Sequence, residues 1–268
     1  MDGALSWDAV VHMRETPIAV AVAQADARKG DYRAHPVDLN GPAQAEPLVE
    51  VTGLGIAGAN HYYRADNPPY YAQIAGSVEG LWLRAGVAER LARVQARIAG
   101  LGLSLWVYDA WRPVAVQNTF HDRWMPDYLR RTRGLEGEAL WAEVGRYWAR
   151  GAQDGVIDPL SPPPHATGGA VDLTLRDRFG APLHMGAIFD DVTAVSNTAH
   201  FETAPKDASF SDLEARANRR LLFHLMSAEG LVNNPTEWWH FSYGDQMWAR
   251  ITGAEAAVYG PAHPGAAT

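Results

Sequence analysis

Two short runs of this chain hold the side chains that hydrolytic chemistry needs. Pro164-His165-Ala166-Thr167-Gly168-Gly169-Ala170-Val171-Asp172-Leu173-Thr174-Leu175 places an imidazole seven positions before a carboxylate, and Glu237-Trp238-Trp239-His240 places a carboxylate three before an imidazole. A catalytic zinc ion takes three protein ligands, keeps one position open for water and works beside a general base. His165 and His240 with Asp172 form a two-histidine, one-carboxylate ligand set of that kind. Asp172 alone reads equally as a strand-end residue satisfying backbone amides, and its spacing from His165 raises ligation. Glu237 can be a ligand, a base or the partner of an arginine; its closeness along the chain to His240 makes it the natural base, because the leaving amine must receive a proton.

Hydrolysis also builds negative charge on the former carbonyl oxygen, which a fixed cation stabilises. Arg112 stands where Leu103-Ser104-Leu105-Trp106-Val107-Tyr108-Asp109, which alternates like a strand, meets Pro113 at the start of a helix. Junctions of this kind present side chains to clefts. Among the other histidines, His12, His35, His121, His184, His224 and His263 read as hydrogen-bonded structural residues, while His61 and His200 are alternative ligands.

The composition closes off competing chemistries. The chain has 268 residues, no cysteine and a formal charge of −8, which excludes thiolate zinc sites, cysteine nucleophiles and disulfides and leaves His, Asp and Glu to hold any metal. The net negative charge argues against a nucleic-acid binder. Lysine occurs only at Lys29 and Lys206, neither in a Ser-x-x-Lys arrangement, and no Gly-x-Ser-x-Gly elbow is present. No stretch has the length and apolarity of a membrane span, and no basic start leads into a long apolar run, so a cytoplasmic protein without membrane association is expected. An apolar share of 47% describes a globular chain.

The elements that must hold these residues are legible in part. Val87, Leu91, Val94 and Ile98 recur at helical spacing before Gly100, predicting an amphipathic helix over 84–98. Helical signals run from Val114 to Arg131, interrupted at Pro126, and again over 136–150. Val171, Leu173 and Leu175 alternate with Ala170, Asp172 and Thr174, so Asp172 lies on the face opposite the apolar one. Seven residues put His165 and Asp172 on opposite faces of a continuous strand, so the Gly168-Gly169 turn must bring them together. Glu237 and His240 face the same difficulty, which places Glu237 in a loop or bulge entering an aromatic strand over 237–243. Ser211 and Glu214 form a capping box at the head of a helix running toward Gly230. The tyrosines around Asn67-Pro68-Pro69 read as packing more readily than as a pocket lining. Residues 1–50 read as an extended arm or irregular lobe, with room for a short helix near its start, packed on a body at 51–253, and 254–268 as a flexible tail.

The segments His165-x6-Asp172, Glu237-Trp238-Trp239-His240 and Tyr108-Asp109-Ala110-Trp111-Arg112-Pro113, with Met185-Gly186 and Phe189-Asp190, together resemble the signature segments of the D-alanyl-D-alanine dipeptidases, the VanX-like zinc metallopeptidases related to zinc D,D-carboxypeptidases and hedgehog domains. The resemblance implies an α+β fold, a small mainly antiparallel sheet with helices packed around it. It implies one zinc ion on His165, Asp172 and His240, Glu237 as general base and acid, Arg112 steadying the tetrahedral intermediate, and Asp190 near the amino group of a small dipeptide substrate. The chain departs from the family pattern at Pro163 and Pro164, where serines precede the first ligand, and at Ile56, where a tyrosine is usual. Hydrolysis of D-alanyl-D-alanine or a related small D-amino-acid dipeptide is therefore the expected activity. Other dipeptides, peptidoglycan stem peptides, or a non-catalytic zinc-binding recognition role as in the hedgehog relatives are the alternatives.

Overall fold

The computed structural model describes residues 3–147, 150–152, 155–205 and 207–265. In chain order its main elements are α1 (Trp7–Glu15), α2 (Ala19–Lys29), β1 (Leu48–Glu50), β2 (Ala57–Gly58), β3 (Trp82–Arg84), α3 (Ala85–Ala99), β4 (Ser104–Asp109), α4 (Val114–Thr119), α5 (Met125–Arg133), α6 (Gly137–Tyr147), β5 (Ala170–Arg176), α7 (Phe210–Ser227), β6 (Val232–Asn233), β7 (His240–Ser242) and α8 (Gln246–Thr252). The apolar stripe Val87, Leu91, Val94 and Ile98 of α3 is fully buried, as its spacing predicts. Burying each such side chain stabilises the fold by about 1.5–3 kcal/mol. It lies beside the sheet whose strands run β2-β4-β5-β7-β6, parallel only at β2–β4 and antiparallel elsewhere. A separate antiparallel pair joins β1 to β3. The architecture is the expected α+β one.

β5 sits in the middle of the larger sheet, and Ala170 through Leu175 are all buried. Helices and loops therefore cover both of its faces, and Asp172 is enclosed instead of facing open water. Only His240–Ser242 of the aromatic 237–243 stretch pairs as a strand, because residues 234–237 form a turn in which the Glu237 amide bonds the Asn234 carbonyl.

Several expectations are corrected. The segment 3–50 packs on the body and holds more helix than its sequence suggests: α1 starts on Ser6, whose hydroxyl accepts from the Ala9 amide, and packs along α7, while α2 packs on α8. Each helix buries few apolar residues, Val10 on α1 and Val22 on α2, so the apolar period is weak and tertiary contact supplies the stability instead. Arg14 of α1 donates to Asn218 and Glu214 of α7. Glu214 is thus taken up by Arg14, and the cap of α7 is Ser209, which accepts from Asp212, not the Ser211–Glu214 box. The region after Gly253 is anchored as far as it is described, with Ala257 and Tyr259 buried and the Ala262 carbonyl accepting from Trp111 Nε1; residues 266–268 lie outside the described residues. Pro126 does not interrupt its helix, since it stands in the first turn of α5. The irregularity is a π-helical turn at Phe120–Trp124 between α4 and α5. Among the described residues no helix is long and apolar enough to cross a membrane.

Candidate metal centre and active site

Strand register explains how residues far apart in the chain meet. Asp109 on β4 lies opposite Asp172 on β5, and Asp172 lies opposite His240 on β7, so the three form one row across neighbouring strands. Side chains directly opposite on adjacent strands share a face and stand about 4.5–5.5 Å apart at Cβ. An irregularity in β4 between Val107 and Asp109 resets its alternation just before that row. His165 arrives from outside the sheet on the short 3-10 turn Pro164–Thr167, which Gly168 closes with φ of 71°. That left-handed conformation is the one glycine adopts without a Cβ penalty.

Ligand-capable atoms of His165, Asp172 and His240 all lie within 4.8 Å of one another, and all three residues are buried. His165 Nε2 faces His240 Nδ1 at 3.1 Å and Asp172 Oδ2 at 3.4 Å. The outer nitrogens are held from behind, His165 Nδ1 at 2.8 Å from the Ala110 carbonyl and His240 Nε2 at 3.2 Å from Ser242 Oγ. Donation from Nδ1 to a carbonyl leaves the His165 Nε2 lone pair pointing inward, the tautomer a metal ligand needs. Asp172 Oδ1 is buried without a hydrogen-bond partner, although His240 Nδ1 is 3.1 Å away, which is proximity without the alignment of a bond. A buried carboxylate oxygen left over among inward-facing ring nitrogens fits a divalent cation. With only N and O donors, the set suits zinc.

Electrostatics agree with that reading. Burial alone would raise Asp172, but His165 and His240 beside it hold its carboxyl well below the usual carboxylate range. Burial would lower His240, and the adjoining Asp172 raises it on balance. Asp109, fully buried, is pushed up by burial against the pull of Arg112 and His165. It accepts from Arg112 Nε at 2.8 Å and stands 3.2 Å from His165 Nδ1.

Arg112, buried in the loop after β4, also reaches Asp172 Oδ2 at 3.2 Å and the Tyr62 hydroxyl at 3.1 Å through Nη2, and its Nη1 donates to Gln117 at 3.0 Å. Tyr62 in turn donates to Asp190 Oδ2 at 2.8 Å, as does Tyr70. Tyr62 and Tyr70 pack in and against the core, as expected for the Asn67-Pro68-Pro69 region, and their hydroxyls serve Asp190 as well. Asp190 has a left-handed backbone, φ 58°, and burial pushes its carboxyl up to about 8 against the opposing pull of Arg112. Glu237 is more open, with 29% of its side chain exposed and Oε2 3.6 Å from His240 Nδ1.

A cleft of about 390 Å³ collects every candidate residue, since Arg112, His165, Asp172, Asp190, Glu237 and His240 all line it. Pro163 and Pro164 line the same cleft and offer no hydroxyl donor. His61 and His200 stand apart: His61 Nε2 is engaged by the Pro68 carbonyl, and His200 packs edge-on against Phe201. Asp109, Asn234 and Lys29 escaped the sequence reading. Asp109 had a usable signal, an acid at the buried end of an alternating strand three residues before Arg112; the other two did not.

Glycine at 169 is required by close approach. A Cβ there would stand 2.6 Å from the Tyr243 carbonyl oxygen, a backbone atom with no room to retreat. Gly169→Ala is expected to destabilise the protein by about 1–3 kcal/mol, read as a lower melting temperature, and to weaken metal retention, because the strain falls between His165 and Asp172.

An enclosed cluster of two histidines and an aspartate, gathered from β5, β7 and the turn before β5 and opening on a cleft with a part-exposed carboxylate and a buried arginine, is an arrangement suited to metal-assisted hydrolysis. The chain belongs to the Peptidase_M15 family described as D-ala-D-ala dipeptidase, whose profile matches residues 71–256. Relatives carry the same description. The chain is 34% identical over 220 residues to the D-alanyl-D-alanine dipeptidase of Synechocystis sp., covering 76% of this chain and 84% of the relative. It is 33% identical over 140 residues to that of Escherichia coli K12, covering 52% of this chain and 55% of the relative. The dipeptidase of Enterococcus faecalis is 30% identical over 163 residues, covering 60% of this chain and 72% of the relative. The protein is a peptidase that acts on dipeptides, and membership of a metallopeptidase family implies a metal. A purely non-catalytic role is set aside.

Proposed function

We propose that this chain is a zinc-dependent dipeptidase acting on D-alanyl-D-alanine or a closely related D-amino-acid dipeptide. The observation that carries the reading is the buried convergence of His165, Asp172 and His240, with Asp172 Oδ1 lacking a hydrogen-bond partner. Zinc held by these three would polarise the scissile carbonyl and bring water near neutrality in pKa, to about 7. Glu237 is the general base and acid: its carboxylate takes a proton from the attacking water and returns it to the leaving amine nitrogen. Arg112, kept charged and immobile by Asp109 and Asp172, stabilises the charge that grows on the carbonyl oxygen. Asp190 receives the substrate ammonium, oriented by the hydroxyls of Tyr62 and Tyr70.

The test is chelation and reconstitution. Removing metal is expected to abolish D-alanyl-D-alanine hydrolysis, and one equivalent of zinc per chain to restore it; full turnover of metal-free protein, or zinc and activity both retained in His240→Ala, would overturn the assignment. A panel of D,D-, L,D- and L,L-dipeptides sets the specificity. Pro163 and Pro164 in the cleft wall make the carboxylate end the place where tolerance is expected.

The raised carboxyl of Asp190 yields a second expectation. Its folded value of about 8 exceeds the ordinary 3.8, so the folded protein keeps a proton there that the unfolded chain releases. This group's contribution to stability is therefore complete below about pH 4 and falls as pH rises toward 8. An ammonium bound at Asp190 favours the ionised form and drives that proton off. Calorimetry near pH 6.5 with a phosphinate dipeptide mimic, in buffers of different ionisation enthalpy, should show release of close to one proton, absent in Asp190→Asn. No release from the unsubstituted protein, together with unweakened binding of the mimic by Asp190→Asn, would remove Asp190 from ammonium recognition.

A further inference from the structure

Part of the wall of the cleft that holds the zinc-ligand candidates comes from a stretch of the chain that precedes the family match at 71–256. Asp26, Lys29, Gly30, Tyr32 and Arg33, at the end of α2 and just beyond it, line the same cleft as Glu237 and His240. Lys29 is half-buried there, and burial pulls its ammonium below the usual lysine range against the attraction of Glu237 and Asp26. Its Nζ donates to Asn234 Oδ1 at 2.6 Å and to Thr236 Oγ1 at 3.3 Å. The Thr236 hydroxyl donates to the same Asn234 Oδ1 at 3.0 Å.

An asparagine amide has one accepting end and one donating end. A lysine ammonium can only donate, so the end of Asn234 facing Lys29 must be the oxygen. The NH₂ end is thereby forced toward Glu237, where Nδ2 donates to Oε2 at 2.9 Å. The Thr236 amide at 3.4 Å from Oδ1 and the accepting carboxylate of Glu237 favour the same orientation, so what Lys29 adds is a short charged anchor that holds the Asn234 side chain in place. Glu237 is open enough to solvent that this bond is a principal restraint on its orientation.

We propose that Lys29 is a positioning residue for hydrolysis: from the N-terminal helical segment it fixes the Asn234 amide, which holds the Glu237 carboxylate at its working place in the cleft. This rests on Glu237 being the general base. The N-terminal helices are then a functional wall of the active site and not merely an appendage to the family domain.

Four variants of the full-length, zinc-loaded protein test it: Lys29→Met, Lys29→Arg, Asn234→Ala and the double variant Lys29→Met/Asn234→Ala. Misplacing a catalytic group by a fraction of an ångström to an ångström costs about 10–100-fold in rate. Lys29→Met is therefore expected to lower kcat by about that factor with KM changed less than about twofold, Lys29→Arg to recover most of it, and the double variant to be no slower than Asn234→Ala alone. Zinc content and melting temperature near those of the unsubstituted protein separate positioning from general damage. If Lys29→Met is unstable, Asn234→Ala approaches the same bond from the other side, and a crystal structure of Lys29→Arg reports whether the Asn234 and Glu237 side chains keep their places. Unchanged kcat in Lys29→Met, effects of the two substitutions that multiply, or a loss confined to KM would overturn the proposal; the last would mean that Lys29 meets the substrate itself. Glu237→Ala separates the two levels of inference. If it keeps turnover, the base assignment fails whatever Lys29 does; if it is inactive while Lys29→Met is fully active, only the positioning role fails.

Discussion

Glu237→Ala is expected to lower kcat for D-alanyl-D-alanine by about 10²–10⁴-fold while zinc content stays at one per chain. The separation follows from where Glu237 sits. It is on the turn before β7, with Oε2 3.6 Å from His240 Nδ1 and bonded by Asn234 Nδ2, whereas the ligand-capable atoms belong to His165, Asp172 and His240. On the proposed mechanism, removing its carboxylate deletes the proton carrier and leaves the three proposed ligands in place. Its partial exposure also means that truncation opens no buried cavity, so the melting temperature should move little. Single-turnover kinetics with metal analysis on the same sample checks both halves. A variant that loses zinc along with activity would instead make Glu237 a ligand, the alternative that residue spacing alone leaves open.

Arg112→Met should strike both catalysis and folding. Loss of a donor aimed at developing negative charge costs about 10²–10³ in kcat. The structural cost arises because the guanidinium is shared between two buried carboxylates, Asp109 at 2.8 Å and Asp172 at 3.2 Å. Deleting one partner of a buried charge pair strands the other and destabilises by about 3–5 kcal/mol. For a chain of this size that corresponds to a fall in melting temperature of roughly 10 °C. Zinc should oppose the fall, since a divalent cation compensates Asp172, so the loss is expected to be larger in metal-free than in metal-loaded protein. Arg112→Lys keeps a charge but not the planar fork that reaches Asp109 through Nε and Asp172 and Tyr62 through Nη2. It should recover more stability than rate. Scanning calorimetry with and without zinc, beside kcat, tests these outcomes; an Arg112→Met protein with unchanged kcat would take Arg112 out of the chemistry.

The segments with strong local signals read through to the structure. α3 carries its whole apolar stripe on one face, so helix and burial follow from periodicity alone, and β4 and β5 alternate clearly enough to be placed within a residue. α1 leaves only a faint trace and α2 none, because each buries so little of its own surface that its sequence lacks an amphipathic pattern. The tail after Gly253 misleads for a related reason: its Ala, Gly and Pro composition reads as loose, yet buried Ala257, Tyr259 bonded to Glu46 and the Ala262 carbonyl bonded to Trp111 tie it to the body. Tyr62 and Tyr70 show the limit for side chains, since a tyrosine used for packing and one that orients a carboxylate are the same letter.

What the amino-acid sequence determined unaided is the inventory: imidazoles and carboxylates as the only possible ligands in a chain without cysteine, glycines where the backbone must turn, and an arginine and a glutamate at element boundaries. Which of these meet was decided by the tertiary structure. Strand register puts Asp109, Asp172 and His240 in one row, and packing of α2 on α8 carries Lys29 to within 2.6 Å of Asn234, 205 positions away. The reason is physical. Periodicity and turn chemistry act over a few residues and leave a trace in local order, whereas pairing between strands and docking between helices depend on surfaces that exist only once the chain has folded.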